Sequence, residues 1–335
     1  MKVARAVAHP NIALAKYWGK TGDGQNLPAV PSLSLTLDAM STTTSVEFLP
    51  GLEADQVIIN GGAATPDEGR RITHLLDRVR AAARLGERAS VETANDFPTA
   101  SGLASSASGF AALALAATRA AELSWDAAKV SDLARRSSVS AARSVYGGFV
   151  TLAAGTPGAE FLAAQPLLDG HDWPIAMCVA VTTLEKKGVG STDGMAHTRA
   201  TSPYYAAWIA KAPELFERAR RAVVSRDLEA LGACAEESAF AMHATALAAA
   251  PALIYFSPTT VAAVLCVQNL RREGTLAFVT IDAGPHVKVL CYAADAPRIR
   301  AALREVEGVR EVIVARPGSP ASLAAGERAL GRDFA

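Results

Sequence analysis

From Ser32 to Leu37 polar and apolar side chains alternate, a two-residue period that predicts a β-strand. Thr42 to Phe48 is rich in β-formers, and Gln56 to Ile59 runs into the turn Asn60-Gly61-Gly62. A short apolar run, Val3 to Ala8, precedes both, so the first third of the chain is expected to be β-rich. The period then changes. Ile72, Leu75, Leu76 and Val79 recur at helical spacing inside a helix expected from Asp67 to Arg84. Ser90 to Ala94 returns to strand, followed by a Gly/Ser-rich loop and an Ala-rich apolar helix over about Ala104 to Ala121. A second helix is expected from Trp125 to about Arg135, and Gly147 to Ala153 has strand character again.

Between Ala154 and Pro174 the periodicity fades among prolines and glycines, which predicts a linker and places a domain boundary there. Ile175 to Thr182 is nearly continuous apolar sequence, the pattern of a strand buried on both faces. Helices are expected near 204–224, 227–244 and 258–273. Strands follow at Leu276 to Ile281 and Val287 to Tyr292, then a helix from Ala296 and a last strand, Val309 to Ala315. Strands and helices mixed in both halves predict an α+β protein of two domains, 1–172 and 173–335, with a cleft between them. No internal repeat recurs at a fixed period.

The chain has 335 residues, half of them hydrophobic and a fifth charged, the balance of a globular protein. Its 33 basic and 33 acidic residues cancel. With no bulk attraction to nucleic acid, any anion site must be a local cluster. No secretory pattern and no apolar run of bilayer length is seen, so no membrane role is expected. Cys178, Cys234, Cys266 and Cys291 are widely spaced, form no CxxC pair and no zinc pattern, and read as small buried hydrophobes in a reducing cytoplasm.

Two segments carry chemistry. Asn11, Lys16, Tyr17 and Lys20 put an amide, two ammonium groups and a phenol within ten residues, and the polar groups fall on no single helix or strand face. Donors of this kind on a loop suit phosphate oxygens; the plain alternative is a strand ending in a solvated loop, with both lysines at the surface. The second segment, Asn95 to Gly109 with Pro98-Thr99-Ala100-Ser101-Gly102-Leu103-Ala104-Ser105-Ser106-Ala107 within it, joins a strand to a helix whose N-terminal amides can hold phosphate. It is neither a Walker loop nor a Rossmann fingerprint, and a Ser-capped helix after a Gly turn explains it as readily.

These residues resemble a known family. The Pro-x3-Gly-Leu-Ala-Ser-Ser-Ala loop is similar to the nucleotide-phosphate loop of the GHMP kinase superfamily, and Asn-Ile-Ala-x2-Lys-Tyr-Trp-Gly-Lys resembles its diphosphomevalonate decarboxylase branch. Pro31 to Ser34, Ser138 to Ser144 with Tyr146-Gly147-Gly148, Ser191 to Met195, Met242 to Thr245 and Asp282 to Pro285 fit that branch in order. The resemblance implies a two-domain GHMP kinase-like fold and ATP-dependent decarboxylation of mevalonate 5-diphosphate. ATP is the implied cosubstrate and Mg²⁺ its companion, with metal ligands unknown; the implied form is a cytoplasmic homodimer. Within enzymes the alternative is a paralogue acting on mevalonate or its monophosphate; outside them, a catalytically inactive nucleotide-binding regulator.

The resemblance also implies roles. Asp282 would act as base toward the substrate's 3-hydroxyl, and Arg143 would hold the substrate carboxylate, oriented by Asn11. Ser106 would bond the transferring phosphoryl group. Tyr17, Lys20, Ser138 and Ser140 would contact the diphosphate, with Lys16, Ser191 and Met195 nearby. Pro98, Ser101, Gly102, Leu103, Ala104 and Ser105 would line the triphosphate. His243 reads as a core histidine and Trp18 as packing. Two departures stand out. Ser137 and Val139 flank Ser138 where the family usually has glycines, and Thr21-Gly22 follows Lys20 where Arg-Asp is common.

Overall fold

The computed structural model describes residues 3–22, 24–97, 103–185 and 188–324. In chain order the first elements are β1 (Ala4–Ala8), β2 (Asn11–Ala15), β3 (Ser32–Thr36), β4 (Thr42–Leu49), β5 (Gln56–Ile59), β6 (Gly62–Ala63), α1 (Pro66–Ala83), β7 (Arg88–Asn95), α2 (Ser105–Ala120) and α3 (Ala127–Ser137). A 3₁₀ segment, Val139–Val145, leads to β8 (Phe149–Leu152), β9 (Gln165–Leu168) and β10 (Ile175–Val181). Then come α4 (Ser191–Thr201), α5 (Tyr205–Val224), α6 (Leu228–Leu247), α7 (Pro258–Arg272), β11 (Ala277–Ile281), β12 (Val287–Tyr292), α8 (Ala296–Arg304), β13 (Glu311–Ala315) and β14 (Ser322–Leu323).

These strands form three sheets, ordered β14-β1-β4-β7-β5-β6, β2-β3-β8-β9 and β11-β12-β10-β13. The first packs on α1, α2 and α3 through Val46, Phe48, Leu75, Val79, Leu113 and Leu133. The third packs α7 and α8 against one face through Cys178, Val267, Val289 and Ile299. Its other face meets β2, β3, α5 and α6 in one core that includes Ile12, Leu35, Met177, Val179, Leu215 and Leu231. Residues of β10 alternate between these two cores, and all seven are buried, as its continuous apolar run predicts.

Local signals account for the helix ends. Thr65 forms a capping box with Glu68, and Pro66 occupies the first turn of α1. Ser257 and Thr260 do the same for α7, before Pro258. The expected linker is more ordered than its composition suggests: it contributes β9, which pairs with β8 at the edge of its sheet, where Pro166 is tolerated. Helix α4 was not expected. Its sequence is polar, with Gly194 and three threonines, and carries almost no apolar stripe.

One segment expected at the surface moves inward. Asn11–Ala15 is a fully buried strand rather than a donor-bearing loop, and Lys16, which follows it, is 2% exposed. Of the cysteines, Cys178, Cys234 and Cys291 are buried, while Cys266 is only half-buried. The second half also returns to the first. β14 pairs with β1, Gly318 accepts from Gly148 N, and a Cβ at Gly147 would stand 2.7 Å from Gly318 O, so the tail lies directly on that backbone.

Candidate active site

A cleft of about 660 Å³ lies between the halves. Its wall brings together Asn11, Lys16, Tyr17, Lys20, Ser105, Ser106, Ser138, Ser140, Arg143, Ser191, Met195 and Asp282. Ala104 also lines it, whereas the Leu103 side chain sits in the apolar core. Pro98, Ser101 and Gly102 lie outside the described residues.

At the floor of this cleft is a compact charge cluster. Asp282 follows β11, and its Oδ1 accepts from Lys16 Nζ at 2.6 Å; Lys288 Nζ lies 3.2 Å from Oδ2. Burial works to raise the Asp282 pKa, but the two ammonium groups outweigh it and hold the carboxyl well below the usual carboxylate range. Burial lowers Lys16 to about 8, against the pull of Asp282, and Lys288 and Arg143 push it the same way. His243 Nε2 donates to Ile281 O at 3.2 Å, and burial pushes this ring down to about 4, so it is neutral at pH 7.

Arg143 is pinned in the buried 3₁₀ segment. Its Nε donates to Ser34 Oγ at 2.9 Å and Asn11 Oδ1 at 3.3 Å, and Nη1 donates to Ser32 Oγ at 2.7 Å. Asn11 in turn donates through Nδ2 to Ser144 Oγ at 2.7 Å and Ser140 O at 3.0 Å. Burial lowers Arg143 to about 10, which leaves it a cation at neutral pH. A guanidinium so held presents a fixed fork to the cleft, suited to a carboxylate.

The phosphate-binding candidates lie along two edges. Among the described residues the buried Tyr17 Oη has no hydrogen-bond partner, and burial raises its pKa, so it is a protonated donor facing the cleft. Lys20 Nζ donates to Asn26 Oδ1 at 2.6 Å, with Thr192 Oγ1 at 3.5 Å. The Lys20 loop is fixed by Asn26 Nδ2 donating to Arg136 O and by Arg135, fully buried, donating to the Gln25 and Asn26 carbonyls. Ser138 Oγ and Ser140 Oγ are 3.2 Å apart at the start of the 3₁₀ segment. Val139 between them turns inward, into a cluster with Val150, Leu152 and Tyr17.

On the nucleotide-loop side, the helix is not serine-capped. Its N-cap is Ala104, at φ 59° with no side-chain cap bond. A non-glycine residue in the left-handed region costs about 1–3 kcal/mol, and it leaves first-turn amides of α2 for an anion. Ser191 likewise stands one residue inside α4, whose N-cap is Gly190. A side pocket of about 400 Å³ adjoins the cleft across Glu68, Arg71, Ser105 and Ser106, with Ile72, Val91, Phe110 and Leu113 among its apolar walls.

Four further residues are brought to the site that sequence reasoning did not assign. Ser32 and Ser34 share one face of β3, a relationship their two-residue spacing carries. Arg71 stands over the Phe110 ring at 4.7 Å, donates to Ser137 O, and shares a helix face with Asp67 and Glu68. Lys288 has no such signal, because one lysine in a strand reads as its solvent-facing position. Near Lys20, Gly22 is overlain by Arg199: a Cβ there would meet Arg199 Nη1 at 2.5 Å, and that guanidinium donates to Lys20 O.

Residues 8–163 match the family described as the diphosphomevalonate decarboxylase-like N-terminal domain, and 177–318 the mevalonate 5-diphosphate decarboxylase C-terminal domain. Diphosphomevalonate decarboxylase of Saccharomyces cerevisiae is 35% identical over 311 residues, covering 87% of this chain and 78% of its own. A structure of mevalonate diphosphate decarboxylase from Staphylococcus aureus superposes with a TM-score of 0.91 at 34% identity, covering 97% of this chain and 98% of that one. Another, described as MDDEF in complex with MVAPP, AMPPCP and magnesium, gives 0.89 at 36%, covering 97% and 99%. The architecture is therefore that of the two-domain GHMP kinase-like proteins. Within that class, the chain belongs to the diphosphomevalonate decarboxylase family.

Proposed function

We propose that this protein converts mevalonate 5-diphosphate and ATP to isopentenyl diphosphate, ADP, phosphate and carbon dioxide. The observation that carries the reading is the meeting, in one cleft, of the Asp282 carboxylate and the serine- and asparagine-braced Arg143 guanidinium. Arg143 holds the substrate carboxylate, and Tyr17, Lys20, Ser138 and Ser140 take the diphosphate. Lys16 contributes positive charge beside them, and Ser191 and Met195 close that side of the cleft. Bound this way, the substrate presents its tertiary 3-hydroxyl to Asp282.

Asp282 is held ionised, so it cannot take the alcohol proton outright. It orients the O–H bond and accepts the proton as the new O–P bond forms, in keeping with a loose phosphoryl-transfer transition state. Ser106 and the exposed amides of α2 hold the transferring group, and Ala104 and Ser105 line the phosphates. Loss of the 3-phosphate leaves positive charge at a tertiary carbon, and the C–CO₂ bonding electrons form the alkene. The apolar side chains of Trp18, Met195 and Met242 in the cleft wall keep water from that carbon.

The nucleotide base fits the side pocket beside Phe110. For the metal, Ser105, Ser106 and the carboxylates of Asp67 and Glu68 border the phosphate edge. Among the described residues no group of three His, Cys, Asp or Glu is set to hold an ion. This donor set fits Mg²⁺ arriving on the nucleotide phosphates with few protein ligands, where it neutralises phosphate charge.

We further propose a cytoplasmic homodimer whose domains divide near residues 172 and 173, a division supported by the β11-β12-β10-β13 sheet, drawn wholly from later residues. No helix among the described residues is long and apolar enough to cross a membrane. Light scattering checks the dimer. The activity is tested by measuring ADP and carbon dioxide with mevalonate, its 5-phosphate and its 5-diphosphate. Equal yields of both products from the diphosphate alone are expected; preference for a smaller substrate, or ADP without carbon dioxide, would refute it.

A further inference from the structure

Lys288 is fully buried on β12, a central strand of its sheet. Its register neighbours are Val179 and Thr280. Alternation along β12 sends Val287, Val289 and Cys291 to the α7–α8 core and puts Lys288 on the face of Leu290, toward the core shared by the two halves. An apolar residue would be the ordinary occupant, since a buried ammonium is costly unless an anion meets it. The anion is Asp282, whose other oxygen is held by Lys16 from the opposite half.

We propose that Lys288 is a positioning residue for the reaction, fixing the Asp282 carboxylate from below so that its orientation and charge are set before substrate arrives. This rests on the reading of Asp282 given above. A carboxylate held by Lys16 alone can rotate about its Cβ–Cγ bond; held at both oxygens, it cannot. The groups that face it are Lys16 after β2, Lys288 on β12, His286 just before that strand, His243 from α6 and Arg143 from the 3₁₀ segment. Burial lowers both rings, His243 to about 4 and His286 to about 3, so they stay neutral at pH 7. The cations therefore outnumber the anion at the floor, which favours an anionic substrate and an ionised Asp282 together.

The test compares Lys288→Met, which is unbranched, one atom shorter and uncharged, with Asp282→Asn. Lys288→Met is expected to lower kcat about 10²-fold while KM for ATP changes less than about twofold. Its acid limb in kcat should move up by about 1–3 pH units, since Asp282 loses one of two cations. An unmoved acid limb with kcat near the parent's overturns the inference. If Asp282→Asn is then inactive, the reading of Asp282 survives alone; if Asp282→Asn turns over normally, both fall. Should Lys288→Met fail to fold, ¹³C NMR of the lysine side chains in the parent and in Asp282→Asn decides. A Lys288 Cε signal at the same position in both overturns the proposal, and one that moves supports it.

Discussion

Lys16 Nζ and Asp282 Oδ1 are 2.6 Å apart although they are separated by 266 positions in the chain. The contact joins the end of a buried strand in one half to the end of a strand in the other, and each residue is held in place by more than its partner. Lys16 also donates to Ala13 O, and its own amide donates to Ser238 Oγ on α6. The pair thus couples the charge state of the site to the seating of the two halves.

A pH profile follows from this pair. Lys16 titrates near 8, so kcat is expected to fall as pH rises through that value and the ammonium is lost. Lys16→Arg should move this alkaline limb above about pH 10, because a guanidinium keeps its proton. An unmoved limb would assign it to another group. Stability has its own sign. Asp282 is depressed, so its contribution is present above its unfolded value of about 3.9 and is lost as pH falls through the folded one. The Lys16 pKa is also depressed, so the folded chain releases that proton before the unfolded one does, and stability rises between about pH 8 and the unfolded lysine value. Denaturant titrations of the parent and Lys16→Met across both windows check this.

Arg143→Lys should raise KM for mevalonate 5-diphosphate at least about tenfold, since one ammonium cannot reproduce a fork held by Ser32, Ser34 and Asn11. Leaving buried acceptors unmet should also cost about 1–3 kcal/mol of stability. Steady-state kinetics with thermal unfolding measure both; an unaltered KM would remove Arg143 from substrate binding.

The loop carrying Tyr17 and Lys20 turns at Gly19, with φ +114°, and a Cβ there would lie 2.2 Å from Tyr205 Oη. Gly19→Ala is therefore expected to destabilise by about 1–3 kcal/mol and to weaken diphosphate binding. Adding Tyr205→Phe removes the oxygen but not the backbone strain. The double variant should regain about 0.5 kcal/mol or more, but not all. Full recovery would mean that the clash alone mattered.

Gly109 lines the side pocket from α2, and a Cβ there would meet nothing within 4 Å among the described residues. Gly109→Leu should strengthen the helix by about 0.5–1 kcal/mol while filling the space proposed for the base. A rise of about tenfold or more in KM for ATP, with substrate binding by calorimetry unchanged, is the expected outcome. A variant that is more stable and binds ATP as before would place the base elsewhere.

Much of this was readable from periodicity. The strands β3, β4, β5 and β7, the helices α1, α2 and α3 and the doubly buried β10 follow from spacing and local composition. What escaped has physical causes. β2 is buried throughout, so Asn-Ile-Ala-Leu-Ala shows no alternation to mark a strand. Lys16 reads as solvated because a short stretch cannot reveal that an acid 266 positions away will meet it. α4 lacks an apolar stripe, and β9 is four residues long with a proline. Ala104 shows the opposite limit. Serines at a helix start suggest a cap, yet strain and the missing cap are tertiary choices that leave amides unspent at the cleft.

The pairing of Ala6 with Leu323 bears on how the molecule is made. The edge of the first sheet is closed by a strand synthesised long after its neighbours, so an emerging N-terminal half waits on the ribosome with that border open. Such an edge invites pairing with other chains until Leu323 clears the exit tunnel. The first sheet thus gains its outer strand only once Leu323 has been made, and a chain halted at Ala315 would keep β1 as an unpaired edge.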